Sequence, residues 1–446
     1  MTAPLAKAPR TGRIARSVIA GTTAARVGVA RVRHRLSADR SPQATAAHEH
    51  QIGMLIFAAL TQLRGTALKA AQVLSMEASL LPPGVRAQLA RATHQALPLN
   101  RAVVSRAFRQ AFGCEPQALF ARFDPDAFAA ASLGQVHRAQ LADGTDLAVK
   151  LQYPGMDQTI DSDLRLLRAS LSAIGHERLG LPSHSVIDKL LDDIRQQLEQ
   201  ELDYRLEAEQ QAWFAAHVRH PDVDMARVVP ALSCKTVLTQ HYLPGRHVDA
   251  WLPARPSQTW RDGAGQALFD WFMRCAFVHH RIQPDMHPGN VLFAEGGRVG
   301  VLDFGCTCEL GPAFARGLAR SWLLWLRHGA KGADGLLATY RQLGLTDASL
   351  SVEAFRRRPL PQIGAVLGWA TQPFTNERFD FADKTPPPAA DFGDRSQRSA
   401  ASFLRQVPIE MISFDRAWLG LMHLLTRLQC RVDTRAALGL LQDAAW

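Results

Sequence analysis

Hydrophobic and polar positions alternate with two different periods along this chain, and the switches between them outline its organisation. A helical stretch runs to about Gly113, broken at Leu81-Pro82-Pro83-Gly84 and Leu97-Pro98, and Ala102–Phe112 within it has the apolar spacing of a packed helix. Near Leu119 the pattern becomes strand-rich. Val136–Ala139 and Leu147–Lys150 read as a hairpin across Ala142-Asp143-Gly144. Helical periodicity returns over Gln158–Ala173 and over one long run, Val186–His217, before two further strands at Arg227–Val229 and Val237–His241. Tyr242-Leu243-Pro244-Gly245 is a turn and reads as a hinge. From Ser257 the chain is mostly helical, interrupted by Val291–Phe293, the turn Glu295-Gly296-Gly297 and Val299–Leu302, a second hairpin. The pattern predicts an α+β protein of two lobes. A tail or surface helix (1–45) and a helical extension (46–118) precede a strand-containing N-lobe with helical insertions (119–244). A mainly helical C-lobe (245–446) follows.

The second hairpin separates three residues with one chemical theme. Asp285 and Asn290 lie in Gln283-Pro284-Asp285-Met286-His287-Pro288-Gly289-Asn290, and Asp303 opens Asp303-Phe304-Gly305. In phosphoryl-transfer enzymes of the protein-kinase shape, an Asp five residues before an Asn supplies base and metal ligand from one loop. A second Asp, in Asp-Phe-Gly, holds the metal from the other side. A triplet alone carries little, since Asp391-Phe392-Gly393 repeats it with no strand before it. The ordered set with a hairpin between its members is specific. Asp285 is the expected base, with Asn290 and Asp303 as ligands for Mg2+.

Leu147-Ala148-Val149-Lys150 resembles the strand that presents the phosphate-holding lysine of kinases. Where a glycine-rich loop would precede it, this chain has Ala129-Ala130-Ala131-Ser132-Leu133-Gly134-Gln135. Alanine keeps side chains small near phosphates but does not readily reach the positive-φ shapes of glycine, so a stiffer cover over ATP is expected. Ala129, Ala130, Ala131, Ser132 and Gln135 are its candidate nucleotide contacts. A lysine at a phosphate needs an acidic partner. Asp203 and Glu207 are spaced to share a helical face, with Glu201 pointing elsewhere. Spacing leaves both Glu201 and Glu207 open as partners of Lys150, with Glu207 preferred.

Ala129–Ala139, Leu147–Gly155, Glu199–Ala208, Gln283–Asn290 and Val301–Gly305, in this order, resemble the UbiB/ADCK family of atypical kinases. The resemblance runs from about residue 60 to the end, and the alanine-rich loop is its most telling part. It implies a two-lobed protein-kinase-like fold with Mg-ATP between the lobes. It also implies a Lys-x-Gly-Gln helix over the space where a peptide substrate would lie. Lys69 and Gln72 match that motif and become nucleotide-site candidates on this ground alone, with Ala71 replacing the glycine. The family supports biosynthesis of ubiquinone and related isoprenoid quinones. The resemblance therefore implies quinone intermediates, and the enzymes that make them, as partners.

Charge narrows the setting. The 446 residues carry a formal net charge of +10, and no Asp or Glu occurs between Lys7 and Arg35, which includes seven arginines among Arg10, Arg13, Arg16, Arg26, Arg31, Arg33 and Arg35. Ile14, Val18 and Ile19 fit one helical face, so an amphipathic helix on anionic lipid is expected, and the composition also suits a mitochondrial transit segment. No nucleic-acid-binding motif accompanies the charge. No stretch reaches the roughly eighteen uncharged apolar residues of a spanning helix. Six cysteines without a CxxC pair fit a reducing compartment. The expected location is cytoplasmic and peripheral to a membrane, with the mitochondrial matrix as the alternative.

After Gly305 only Cys306–Pro312 separates the Asp-Phe-Gly triplet from a helical pattern, and no Ala-Pro-Glu motif follows. That leaves little platform for a peptide and disfavours protein kinase activity. The expected function is an ATP-dependent atypical kinase or ATPase supporting quinone biosynthesis or membrane lipid handling. A small-molecule kinase of the aminoglycoside or choline type and a nucleotide-binding pseudokinase scaffold are the rival readings.

Overall fold

The computed structural model describes residues 13–37, 39, 41–63, 66–67, 69–70, 99–131, 133–174, 184–388 and 408–445. The chain divides into two compact units, Met1–Ala208 with Val228–Tyr242, and Glu209–Arg227 with Leu243–Trp446. The α+β architecture expected from the pattern is present, and the last of the chain's crossings between the units falls at Tyr242–Leu243, inside the turn Tyr242–Gly245.

The first unit is built on an antiparallel sheet in the order Arg122–Phe123, Gly134–Gln140, Asp146–Gln152, Val237–His241, with Ala129–Ala131 also pairing with Gly134–Gln140. The central hairpin closes where the sequence supplies the means: Gly144 adopts φ +88° and its N–H donates to the Leu141 carbonyl at 3.0 Å. Period-2 alternation then sorts the side chains. Gln135, His137, Ala139, Leu147, Val149 and Leu151 are buried, the apolar ones in a core shared with Phe108, Leu164 and Leu198. The helix Arg101–Phe112 starts where Asn100 accepts the Val103 N–H at 3.0 Å and stops at Gly113, φ +74°.

Three expectations need correction in this region. The run Val186–His217 is two helices, His184–Glu201 and Tyr204–His217, broken at Leu202-Asp203. The Leu202 carbonyl accepts from Gln152 Nε2 at 2.8 Å, the Tyr204 N–H donates to the Lys235 carbonyl at 3.0 Å, and the Asp203 carboxylate takes the Arg205 N–H at 3.1 Å. Asp203 therefore sits outside the second helix and does not share its face with Glu207. The strand expected at Arg227–Val229 lies earlier, at Val223–Met225, which belongs to the second unit and there runs parallel to Val299–Val301; Val228 keeps a single bridge to Gln240. Finally, the helix Arg13–Leu36 packs on Pro42–Leu63 and Ile160–Ile174 through Ile19, Thr23, Val27 and Ala30. Val18 faces solvent, so it does not share a face with Ile19.

In the second unit the helix Gln258–Phe277 is apolar on nearly every side and lies within a core that includes Trp322, Phe414, Trp418 and Leu425. Truncating a fully buried ring there, Phe272 or Trp418, to alanine would cost about 3–5 kcal/mol. The hairpin Val291–Phe293/Val299–Val301 forms as expected, turning through Gly296 and Gly297 at φ +75° and +81°. Among the described residues no helix is long and apolar enough to cross a membrane.

Candidate active site

The lysine strand is held in the middle of the first unit's sheet, paired on both edges: Lys150 lies opposite Val136 on one side and Leu238 on the other. Its ammonium donates to both carboxylate oxygens of Glu207, at 2.9 and 2.8 Å, and lies 5.0 Å from the centre of the Tyr204 ring. Lysine and glutamate are 7% and 5% exposed. Two-pronged bonding in so dry a place is what offsets the cost of taking both charges out of water. Glu201, the other candidate, is turned away by the break at Leu202-Asp203. It sits 2.9 Å from the ammonium of Lys69, an ion pair buried in the same unit. Lys69 is thus placed by a carboxylate from the helix preceding the Glu207 helix. Gln72, Ala71 and Ser132 lie outside the described residues.

The alanine-rich segment is a hairpin rather than an open loop. Ala129, Ala130 and Ala131 face Val136, Gln135 and Gly134 across it. Gly134 has no alternative at its position: a Cβ there would lie 2.2 Å from the Leu151 carbonyl oxygen. Gln135, grouped with the nucleotide contacts on sequence grounds, is corrected to a structural role. Its Oε1 accepts the Leu99 N–H at 2.8 Å and its Nε2 meets His137 Nε2 at 2.7 Å. His137 Nδ1 lies 2.9 Å from the Asp124 carbonyl. Because a carbonyl can only accept, Nδ1 carries the proton and Nε2 is left to accept from Gln135. Burial holds the His137 pKa below its usual 6.5, against the opposing pull of the Asp124 hydrogen bond and the Asp124 and Asp126 charges.

In the second unit the hairpin turns sequence spacing into contact. Val291 pairs with Val301, and the Leu302 N–H donates to the Asn290 carbonyl at 2.8 Å, so Asn290 and Asp303 emerge from adjacent strand ends. The Asn290 amide nitrogen donates to Asp285, at 3.0 Å to both its backbone oxygen and Oδ2. This fixes the amide with its carbonyl oxygen as the remaining acceptor. Asp303 is one of four described non-glycine residues with positive φ, +61°. Gln283 donates to its carbonyl at 2.8 Å and the Gly305 N–H to its Oδ1 at 3.1 Å, while Phe304 is fully buried against Phe214. Such a backbone shape is disfavoured for aspartate and persists because its surroundings hold it.

One neighbour of this loop has no signal in the sequence. Arg416, on the helix Ile409–Leu428, places its guanidinium 3.4 Å from Asp285 Oδ1. One turn further on, Gly420 fits against Met286, where a Cβ would lie 2.9 Å from the Met286 carbonyl oxygen. Among the described residues no group of three or more His, Cys, Asp or Glu side chains is arranged to hold a metal ion by itself. Asp303 and Asn290 offer oxygen donors only, the set that suits a hard cation completing its shell with water and phosphate.

Comparison with known proteins agrees with this geometry. Residues 91–334, more than half of the chain, match the ABC1 atypical kinase-like domain. The chain belongs to that family. It is 33% identical to the mitochondrial atypical kinase coq-8 of Caenorhabditis elegans, over 58% of this chain and 34% of that protein. It is 30% identical to mitochondrial COQ8 of Schizosaccharomyces pombe, over 78% of this chain and 54% of that one, and 26% identical to COQ8 of Saccharomyces cerevisiae, over 83% and 72%. The chain thus spans about a third to about half of the first two of these relatives. Among solved structures, the Mycobacterium tuberculosis protein Rv3197 in complex with erythromycin matches with a TM-score of 0.60 and 25% identity, over 89% of this chain and 96% of that one. The kinase-like fold and the UbiB/ADCK relationship expected from the motifs are those of the protein.

Proposed function

We propose that this ABC1-family chain is an atypical kinase-like ATPase that supports isoprenoid quinone biosynthesis at an anionic membrane surface. The observation that carries the reading is the buried Lys150–Glu207 pair, which fixes one cation beneath a small-residue hairpin. Lys150 would hold the α and β phosphates, with Ala129–Ala131 covering them. Asn290 and Asp303 would hold Mg2+, which supplies charge neutralisation at the phosphates when bound. Asp285, steadied by Asn290 and Arg416, would orient the attacking hydroxyl or water and accept its proton as the γ-phosphoryl leaves ADP.

Two features favour a non-peptide acceptor. From Gly305 the chain makes only the short strand Cys308–Glu309, paired with Arg281–Ile282, before the helix Pro312–His328 begins. No long segment is left there for docking a peptide. The helix Arg13–Leu36 exposes Val18, Val29, Val32 and Leu36 beside exposed Arg26 and Arg33, an arrangement suited to anionic lipid headgroups. Location on a cytoplasmic membrane face or in the mitochondrial matrix is compatible with it.

The test is steady-state phosphate release from Mg-ATP, with cardiolipin-containing or neutral vesicles and with a quinone-precursor mimic. Magnesium-dependent turnover that rises with anionic vesicles is expected, and Asp303→Asn should abolish both turnover and the thermal shift produced by Mg-ATP. A protein that shows no nucleotide-dependent shift would overturn the reading.

A further inference from the structure

Register places a second cation on the Lys150 face of the sheet. Arg138 pairs with Ala148, and Ala148 with Gln240, so Arg138, Ala148 and Gln240 share the face that Val136, Lys150 and Leu238 occupy one step along. Tyr242 continues this face, its N–H donating to the Asp146 carbonyl at 3.0 Å. The Arg138 guanidinium lies over the Tyr242 ring, its central carbon 3.2 Å from the ring centre and 5.8 Å from that of Phe128. No carboxylate among the described residues pairs with it. Its Nη1 is buried and has no hydrogen-bond partner there. A buried donor left unmade is costly, and stacking on a ring satisfies the charge without satisfying the N–H.

The spacing says what such a donor could meet. Arg138 and Ala148 are displaced by two residues from Lys150, about 7 Å along a strand at roughly 3.3 Å per residue. In a nucleotide that is the scale of the ribose between phosphates and base. Ala148 contributes only a methyl group to the intervening surface.

We infer that Arg138 is a specificity-determining residue for the base of the bound nucleotide, donating from its guanidinium edge to the acceptor edge of a purine. This rests on the nucleotide reading above. A guanidinium has donors and no acceptor, and its two-pronged match is the O6/N7 edge of guanine; adenine presents fewer acceptors beside a competing amine. The site should therefore accept GTP as well as ATP, and the arginine should matter more for GTP.

The experiment is isothermal titration of the full chain with Mg-ATP, Mg-GTP and Mg-tripolyphosphate, for the parent and Arg138→Ala. Loss of affinity of about tenfold for ATP, more for GTP, and none for tripolyphosphate is expected, tenfold being roughly 1.4 kcal/mol. Should the alanine variant not fold, Arg138→Lys keeps the charge without the planar fork and should give the same ordering. Unchanged ATP and GTP affinities, or an equal loss for tripolyphosphate, would overturn the inference while leaving the nucleotide site in place. A parent chain that binds neither ATP nor GTP would remove both.

Discussion

Lys150–Glu207 and Lys69–Glu201 are two buried lysine–glutamate pairs in one unit, on either side of the same break at Leu202-Asp203, and they are built differently. Lys150 comes from a central strand and reaches both oxygens of a glutamate inside a helix. Lys69 lies 2.9 Å from one oxygen of Glu201, the last residue of its helix, and among the described residues no aligned hydrogen bond reaches either carboxylate oxygen of Glu201. Burying charge is costly, so alignment decides whether a pair is merely tolerated or locks its surroundings. The first pair reads as a fixed part of the site. The second is looser, set at a helix end where small movements can change it.

Breaking the first pair should have the largest effect. Glu207→Gln removes the carboxylate charge to which buried Lys150 donates twice, and a loss of about 3 kcal/mol in urea unfolding is expected, together with loss of the Mg-ATP thermal shift. Glu201→Gln sharpens the contrast: a loss nearer 1 kcal/mol is expected, with the nucleotide shift retained. Equal losses in the two variants would erase the distinction.

Arg416–Asp285 extends the comparison to the second unit, where the pair is longer and both side chains are about one quarter exposed. Arg416→Ala should leave stability and ATP affinity nearly unchanged and lower turnover by about tenfold, as misplacing a reacting group does. Partial recovery with Arg416→Lys would mark a positioning role; a parallel fall in ATP affinity would contradict it.

His137 offers a neutral contrast in the same unit, satisfied by hydrogen bonds without a charge pair. Its folded pKa lies below 6.5, so its contribution to stability is complete above that pH and is lost as pH falls through the folded value. Protonation would also set His137 Nε2–H against the Gln135 amide donor. Chemical denaturation between about pH 7 and pH 5 should show a slope that weakens in His137→Asn. The smallest effect concerns the outer helix. Val29→Asp with Val32→Asp should reduce flotation with cardiolipin-containing vesicles without altering ATP affinity, since each places a negative charge toward the lipid.

Much of the site was legible because its signals are local. The turn at Glu295–Gly297 and the strands beside it follow from neighbouring residues, and they bring Asn290 and Asp303 together. The lysine strand and its hairpin follow in the same way. Misreadings arose where distant segments intervene. Val186–His217 looks continuous because its apolar spacing barely falters, yet Gln152 and Lys235 capture backbone groups at its middle. Gln135 resembles a phosphate contact until Leu99 and His137 are seen to occupy its amide.

Sequence alone therefore determined the residue types that carry charge, their order and the hairpins that present them, because short-range backbone geometry depends on adjacent residues. Only tertiary structure decided which glutamate meets Lys150, since that choice turns on a helix break imposed from elsewhere in the sheet. It likewise brought Arg416 to Asp285 and stacked Arg138 on Tyr242. Those contacts join residues far apart in the chain, and nothing in a local period records the packing that makes them neighbours.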